Sequence, residues 1–398
     1  MKIAIMGYGT IGSGVAEVLE VNQDLLAERA GEALEVKYIL DLRDFPGDKN
    51  ESKLIKDYKV IVDDPEVGVV VEAMGGVHPA YDFVKEMLLA GKQVATSNKN
   101  LVAEKGAELI SIAREKGLNF MFGASVGGGI PIIRPLNTCL TADEIEEITG
   151  ILNGTTNYML TRMANEGVSF EEVLKDAQAK GYAEADPTAD VEGFDPCRKI
   201  AILTSLVCGQ QVDYQEIYTE GITKITSEDF AYAAQLDSSI KLLASSKAVG
   251  DSYRCMVAPF MLPKSHPLCN VNDVFNGVFV HGNMLGDAMF YGSGAGKLPT
   301  ASAVVADIVD MVKHADKNIF IEWRPEKKQL INYKESQNRF FVRTTSSKEE
   351  VAALFGNVEF VKEPVVPGEN AFTTDAITEA DFAEKAEKIV VVNRIRLA

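Results

Sequence analysis

The sequence predicts an α/β fold: a doubly wound parallel sheet, then a second α+β domain with a mixed sheet, then a small βαββαβ domain at the carboxyl end. Three observations carry this. Short β-branched runs alternate with amphipathic stretches through the first third of the chain. That alternation stops at the glycine cluster Gly127-Gly128-Gly129, and the final stretch has its own strand and helix order.

Taken in order, Ile3–Met6, Val36–Leu40, Val67–Val71, Gln93–Thr96 and Asn119–Phe122 read as strands, with helical periodicity over Pro79–Ala90 and Ala103–Lys116. Beyond Ile130 a strand over Glu144–Leu152 leads into several helices. Ser239 to Tyr291 reads as longer strands with turn residues at Gly250-Asp251, Asn276-Gly277 and Gly282-Asn283, followed by a helix over Ala301–Val312. The tail runs strand Arg339–Thr344, helix Lys348–Phe355, strands Val358–Val361 and Ala371–Ala376, helix Glu379–Lys388 and strand Ile389–Arg396. The expected domains are therefore 1–129, completed by a helix at about 300–320, then 130–300, then 335–398, with Arg324 to Asn338 as the last linker.

The 398 residues suit two or three domains, and 46% apolar residues exclude disordered and collagen-like classes. Forty basic against 58 acidic side chains leave a net charge of −18, which repels phosphate backbones and anionic membrane surfaces. Five cysteines without a CxxC spacing point to reduced thiols rather than a disulfide framework or a zinc site. The start of the chain lacks the pattern of a signal peptide, and no apolar run is long enough to span a bilayer, so a cytoplasmic protein without nucleic-acid or membrane partners is expected.

Gly7-Tyr8-Gly9-Thr10-Ile11-Gly12 follows the first strand and opens a helix. Glycines there permit a tight turn and close approach of the backbone to a pyrophosphate, while the helix N-terminus supplies N–H groups to it, as in Rossmann-type dinucleotide sites. At the end of the second strand Asp41 stands where ribose hydroxyls are held and Arg43 where a 2′-phosphate is met. The choice between NAD and NADP stays open, tilted towards NAD by Asp41. Gly75, Thr96, Asn98 and Lys99 fall at the carboxyl edge of the same sheet, Lys99 on a loop, and Gly296 lies in a second glycine-rich turn whose spacing is wrong for a Walker motif.

The stretch Gly181 to Asp195 packs five carboxylates into 15 residues before an apolar helix. Asp195 fits its N-cap and Pro196 its first position, which sets Lys199 four residues after Asp195 as a partly buried, acid-flanked lysine. The bland alternative is a solvated acidic loop with a surface ion pair. The histidines stand singly, so neither a metal cluster nor a Ser/His/Asp triad is legible.

Together the amino-terminal fingerprint, Gly150-Ile151-Leu152-Asn153-Gly154-Thr155-Thr156-Asn157-Tyr158, the Gly181–Leu203 stretch and Gly294-Ala295-Gly296 running to Val304 make the chain resemble homoserine dehydrogenases over roughly residues 1–320. The resemblance implies reversible NAD(P)H-dependent reduction of L-aspartate 4-semialdehyde to L-homoserine, on the route to threonine, isoleucine and methionine. It implies Lys199 as proton donor, Lys99 as its assistant and Asp195 as the group orienting Lys199. It further implies Glu184, Asp190 and Tyr182 on the substrate, with Asn153, Gly154 and Thr155 where substrate meets nicotinamide, and a homodimer. Two departures stand out. Gly123 replaces a glutamate common beside the family's monovalent-cation site, so Na+ or K+ near Val126 is expected to bind weakly. The tail is similar to ACT regulatory domains, but Thr344-Thr345-Ser346-Ser347-Lys348 lacks their usual ligand-binding turn, which leaves an amino-acid effector and a purely structural tail as even alternatives. The competing functions are a dehydrogenase of another small amino-acid-like aldehyde, disfavoured by the acidic loop, and a non-catalytic dinucleotide sensor, which has no need of the two lysines.

Overall fold

The computed structural model describes residues 1–398. In chain order the first elements are β1 (Lys2–Met6), α1 (Thr10–Val21), α2 (Gln23–Ala30), β2 (Glu35–Leu40), β3 (Leu54–Ile55), α3 (Lys59–Asp63), β4 (Val67–Glu72), α4 (Ala80–Leu89), β5 (Gln93–Thr96), α5 (Lys99–Glu115) and β6 (Phe120–Met121). The middle holds β7 (Ile145–Ile151), α6 (Gly154–Glu166), α7 (Phe170–Ala179), α8 (Thr188–Val191), α9 (Phe194–Cys208), β8 (Gln210–Gln211), β9 (Tyr218–Thr219), α10 (Ser227–Gln235), β10 (Ser238–Val249), β11 (Ser252–Pro263), β12 (Phe275–Gly282) and β13 (Gly286–Ser293). Then come α11 (Lys297–Lys313), β14 (Arg324–Lys327), β15 (Gln337–Thr344), α12 (Lys348–Phe355), β16 (Val358–Phe360), β17 (Asn370–Thr374), β18 (Ile377–Thr378), α13 (Glu379–Ala386) and β19 (Val391–Leu397).

The chain divides into two compact units. Unit 1 comprises residues 1–144, 201–213 and 292–328; unit 2 comprises 145–200, 214–291 and 329–398. In unit 1 six strands form a wholly parallel sheet in the order β3-β2-β1-β4-β5-β6. Its strands β1, β4 and β5 are buried on both faces, so they read as continuous apolar runs such as Val69-Val70-Val71. The core joins Ile3, Ile5, Val15, Ile39, Val69 and Val71 to Val304, Val305 and Ile308 of α11, a helix distant in sequence that lies on α1. The strand order reverses between β1 and β4, and ligands of such sheets bind outside the strand ends at that crevice.

Unit 2 holds an eleven-stranded mixed sheet whose main path is β13-β12-β7-β10-β11-β19-β15-β17-β16. β10 and β11 form a long hairpin, in register from Ser238↔Pro263 to Val249↔Ser252. β19, the last strand, pairs in parallel with β11 and antiparallel with β15, which makes the tail's strands continuous with those of the middle segment. A separate core of Phe340, Val342, Val351, Phe372 and Phe382 lies under α12 and α13.

Four expectations are corrected. Asn276-Gly277 lies within β12 and is no turn: Gly277 pairs with Ile151, and the hairpin turn falls after Gly282. α9 begins at Phe194, so Asp195 sits inside its first turn and Pro196 one position later, where a missing N–H still costs no helical hydrogen bond. α5 begins at Lys99, so this lysine is the first helical residue rather than part of a loop. The expected linker Arg324 to Asn338 contains β14, paired with β8.

Candidate active site

Unit 1 presents a cradle made mainly of backbone. Gly7 adopts φ +96°, and a Cβ there would stand 2.8 Å from the Ala73 carbonyl oxygen; a Cβ on Gly12 would stand 1.8 Å from the Gly7 oxygen. Only glycine lets the turn close so tightly and deliver the bare start of α1, whose N-cap Gly9 leaves the first N–H groups to a ligand. Beside it a cavity of about 420 Å³ is lined by Gly7, Gly9, Asp41, Arg43, Lys56 and Tyr58 among others. A dinucleotide fits this combination of bare helix N-terminus and adjoining cavity.

Asp41 and Arg43 meet within the cavity. Asp41 accepts from the Tyr8 N–H at 2.8 Å, from the Arg43 N–H at 2.9 Å, and from Arg43 Nε and Nη2 at 3.0 and 2.8 Å. The guanidinium holds this carboxyl well below the usual carboxylate range. A charge-paired acid and its cation thus stand together just beyond the end of β2.

Thr96, Asn98 and Gly75 converge on a residue the sequence reading missed, while Lys99 follows Asn98 as the first residue of α5. Glu72, fully buried at the end of β4, accepts from Thr96 Oγ1 at 2.5 Å, from the Met74 and Gly75 N–H groups at 2.8 and 3.3 Å, and from Asn98 Nδ2 at 3.4 Å. Asn98 Nδ2 also reaches the Gly76 carbonyl at 2.6 Å, and Asn98 Oδ1 caps α5 by accepting from the Leu101 N–H. Burial pushes the Glu72 carboxyl up against the pull of these donors. A lone acid closing an apolar strand was the only available signal.

Gly123, where a glutamate was expected, lies against α11. A Cβ there would fall 2.7 Å from Asp307 Oδ1, and the Gly123 N–H donates to Asp307 Oδ2 at 2.8 Å. Asp307 is buried, is pushed up to about 6 by burial, and accepts from Arg134 Nη2 at 3.2 Å. A carboxylate from α11 therefore occupies the space of the missing side chain. No cluster of three or more His, Cys, Asp or Glu side chains with metal-binding geometry exists. Gly296, at φ +117°, is the N-cap of α11.

Unit 2 contributes a compact polar cluster. Lys199 is 8% exposed, and its Nζ donates to Asp195 Oδ2 and to the Leu152 carbonyl, both at 2.7 Å. The four-residue helical spacing brings Asp195 onto the lysine's face. Asn153 is the hub: Nδ2 donates to Asp195 Oδ2 at 2.9 Å and to Asp190 Oδ1 at 2.7 Å, while Oδ1 accepts from the Thr156 N–H and caps α6. Both amide hydrogens are thereby engaged by carboxylates 37 and 42 residues away. Gly154 is the first residue of α6; a Cβ there would lie 2.7 Å from the Val274 oxygen. Thr155 Oγ1 donates to the Tyr182 carbonyl at 2.7 Å, and the half-exposed Tyr182 ring packs edge-on to Tyr158. Glu184 is exposed, and its backbone carbonyl accepts from Gln178 Nε2 at 3.1 Å.

A family model described as "Homoserine dehydrogenase" matches residues 131–309, and one described as "Homoserine dehydrogenase, NAD binding domain" matches residues 7–123. The chain is 42% identical over 319 residues to the homoserine dehydrogenase of Bacillus subtilis, covering 79% of this chain and 73% of that one. It is 44% identical over 319 residues to that of Synechocystis, covering 78% and 73%. Among solved structures, a homoserine dehydrogenase from Thiobacillus denitrificans superposes with a TM-score of 0.91 at 34% identity, covering 100% of this chain and 98% of that one. A hyperthermophilic archaeal homoserine dehydrogenase in complex with NADPH gives a TM-score of 0.66 at 26% identity, covering 78% and 97%.

Proposed function

The chain belongs to the homoserine dehydrogenase family, and on that premise we propose that Lys199, oriented by Asp195, moves the proton while Lys99 assists. The enzyme is an NAD(P)-dependent oxidoreductase acting on a CH–OH group, interconverting L-homoserine and L-aspartate 4-semialdehyde. One observation carries the proton role: a nearly buried ammonium is aimed by a carboxylate and a backbone carbonyl on the acidic side of an apolar helix.

The bound dinucleotide supplies or accepts the hydride. In the reductive direction the aldehyde oxygen becomes an alkoxide, and Lys199 Nζ donates a proton to it. In the oxidative direction the neutral amine takes the hydroxyl proton. Asp190 and Glu184 hold the substrate's ammonium, with Asn153 fixing Asp190 in place. Gly7, Gly9, Thr10, Ile11 and Gly12 hold the pyrophosphate, and Asp41 and Arg43 the adenosine ribose. Gly75, Thr96, Asn98, Lys99 and Gly296 complete the cofactor side. Residues 1–129 with the helix at 300–320 serve the dinucleotide, 130–300 the substrate and dimer, and 335–398 a regulatory or structural tail that an amino-acid effector could use. A monovalent cation near Val126 plays a small part, because Arg134 and the Gly123 N–H already engage Asp307.

No helix is long and apolar enough to cross a membrane. All five cysteines are free, in keeping with a cytoplasmic enzyme. We expect a homodimer, checked by light scattering: a monomer refutes it. The decisive assay is the initial rate of dinucleotide reduction with L-homoserine, using NAD and NADP separately. Turnover is expected, with little response to potassium; folded protein that binds dinucleotide without turnover overturns the reading.

A further inference from the structure

The last strand of the chain reaches the substrate cluster through one carboxylate. β19 carries Arg394 and Arg396, and both meet Glu220, which follows β9: Arg396 Nη1 lies 2.7 Å and Arg394 Nη2 3.2 Å from Glu220 Oε2. The Tyr218 hydroxyl donates to the same oxygen at 3.0 Å. Arg396 is fully buried, and its remaining edge is taken by Glu379 of α13 at 2.6 and 3.0 Å. Burial pushes the Glu220 carboxyl up, but the two guanidinium charges more than offset this and leave it below its ordinary value. Glu220 is thus an ionised acceptor for two arginines of the terminal strand.

Gly221 comes next, and it has no room for a side chain. A Cβ there would lie 2.1 Å from the Val191 carbonyl oxygen and 2.5 Å from Glu192 Cα. Ile222 N–H donates to that Val191 oxygen at 2.8 Å, and Glu220 N–H donates to the Val257 oxygen of β11, also at 2.8 Å. Segment 220–222 is therefore wedged between β11 and the end of α8. From the other side Gly193, at φ +82°, packs against β9: a Cβ there would lie 3.1 Å from Thr219 Cγ2. The turn gripped in this way carries Asp190, whose carboxylate Asn153 holds, and leads directly into Asp195 and Lys199.

We infer that Glu220 is a positioning residue of the substrate site: held by Arg394 and Arg396, it seats the Val191–Gly193 turn and so sets where Asp190 stands. The inference rests on the reading of Asp190 and Lys199 as substrate groups. It makes the terminal strand part of the support of that site, whatever else the tail does.

The experiment uses the full-length enzyme and two variants, each altering one ion-paired side chain of unit 2. Glu220→Gln removes the charge that gathers the arginines. Arg343→Gln is the control, because Arg343 is a buried tie of β15 to Asp229 at 2.8 Å and to Glu369 at 2.9 Å, with no contact to residues 218–222. Steady-state homoserine oxidation, dinucleotide Kd and thermal midpoint are measured for each. Glu220→Gln is expected to raise the homoserine KM about 10-fold with a smaller change in kcat and an unchanged dinucleotide Kd. Arg343→Gln is expected to lower the midpoint while leaving the homoserine KM within about twofold. An unchanged homoserine KM in Glu220→Gln, or an equal rise in both variants, overturns the inference. If Glu220→Gln does not fold, Tyr218→Phe, which removes one donor to Glu220, must show a smaller rise in the same constant or the inference fails. Absence of turnover in the unaltered enzyme strikes the functional reading instead.

Discussion

The cradle of unit 1 and the cluster of unit 2 solve opposite problems. The cradle offers backbone N–H groups and leaves space where side chains are missing, so its form depends on what Gly7 and Gly12 do not carry. The cluster is built from side-chain charge: Lys199, Asp195, Asp190 and the amide of Asn153 hold one another within 2.7 to 2.9 Å. A site of the first kind fails by steric intrusion; one of the second fails when a single partner is lost. The two should therefore break separately.

The largest effect is expected at the cluster. Lys199→Ala should lower kcat by about 10²-fold or more while dinucleotide binding persists, measured by steady-state rates and cofactor titration. Unchanged turnover removes Lys199 from the mechanism. The reciprocal test is Gly12→Ala, whose new methyl would sit 1.8 Å from the Gly7 oxygen. It should weaken dinucleotide binding by about 10-fold or more, since the turn must open to relieve the clash. Loss of homoserine affinity with intact dinucleotide affinity would contradict the division.

Smaller effects sharpen the contrast at the ribose. Because Arg43 engages both oxygens of Asp41, removing either leaves the other exposed to the ligand. Arg43→Ala should favour NAD and Asp41→Ala should favour NADP, each by about 1–2 kcal/mol in the ratio of kcat/KM values. If both variants shift the ratio the same way, the pair does not read the ribose.

Legibility followed the same division. The cradle was readable because a glycine required by close approach leaves its mark at fixed spacing after a strand, and because Ile3–Met6 and Val67–Val71 are apolar on both faces. Asp195 and Lys199 were readable because helical spacing joins them. Asn153 was visible as a family residue but not as a hub, since its partners are far along the chain and nothing local announces the contact. Glu72 was missed for the same reason, and its donors at Met74, Gly75, Thr96 and Asn98 come from two strand ends. The Asn276-Gly277 reading failed because a pair of turn-prone residues looks alike in a turn and in a strand packed closely against its neighbours. A Cβ on Gly277 would lie 3.0 Å from both Leu268 Cδ2 and Val271 Cγ2.

The smallest predicted effect concerns Asp307, the buried acid of α11 beside Gly123. Its carboxyl is pushed from 3.8 up to about 6 in the folded chain. Between those values the folded protein keeps a proton that the unfolded chain has released. The group's contribution to stability is therefore complete below pH 3.8 and is lost as the pH rises through about 6. Asp307→Asn cannot titrate, yet its amide oxygen can still accept from the Gly123 N–H. The thermal midpoint of Asp307→Asn, taken relative to the unaltered enzyme, should climb between pH 4 and pH 7, whatever its starting offset. A flat difference across that range would mean that Arg134 and the Gly123 N–H hold Asp307 ionised throughout, which would make it an acidic counterpart of the cluster in unit 2 rather than a neutral filler of the space beside Gly123.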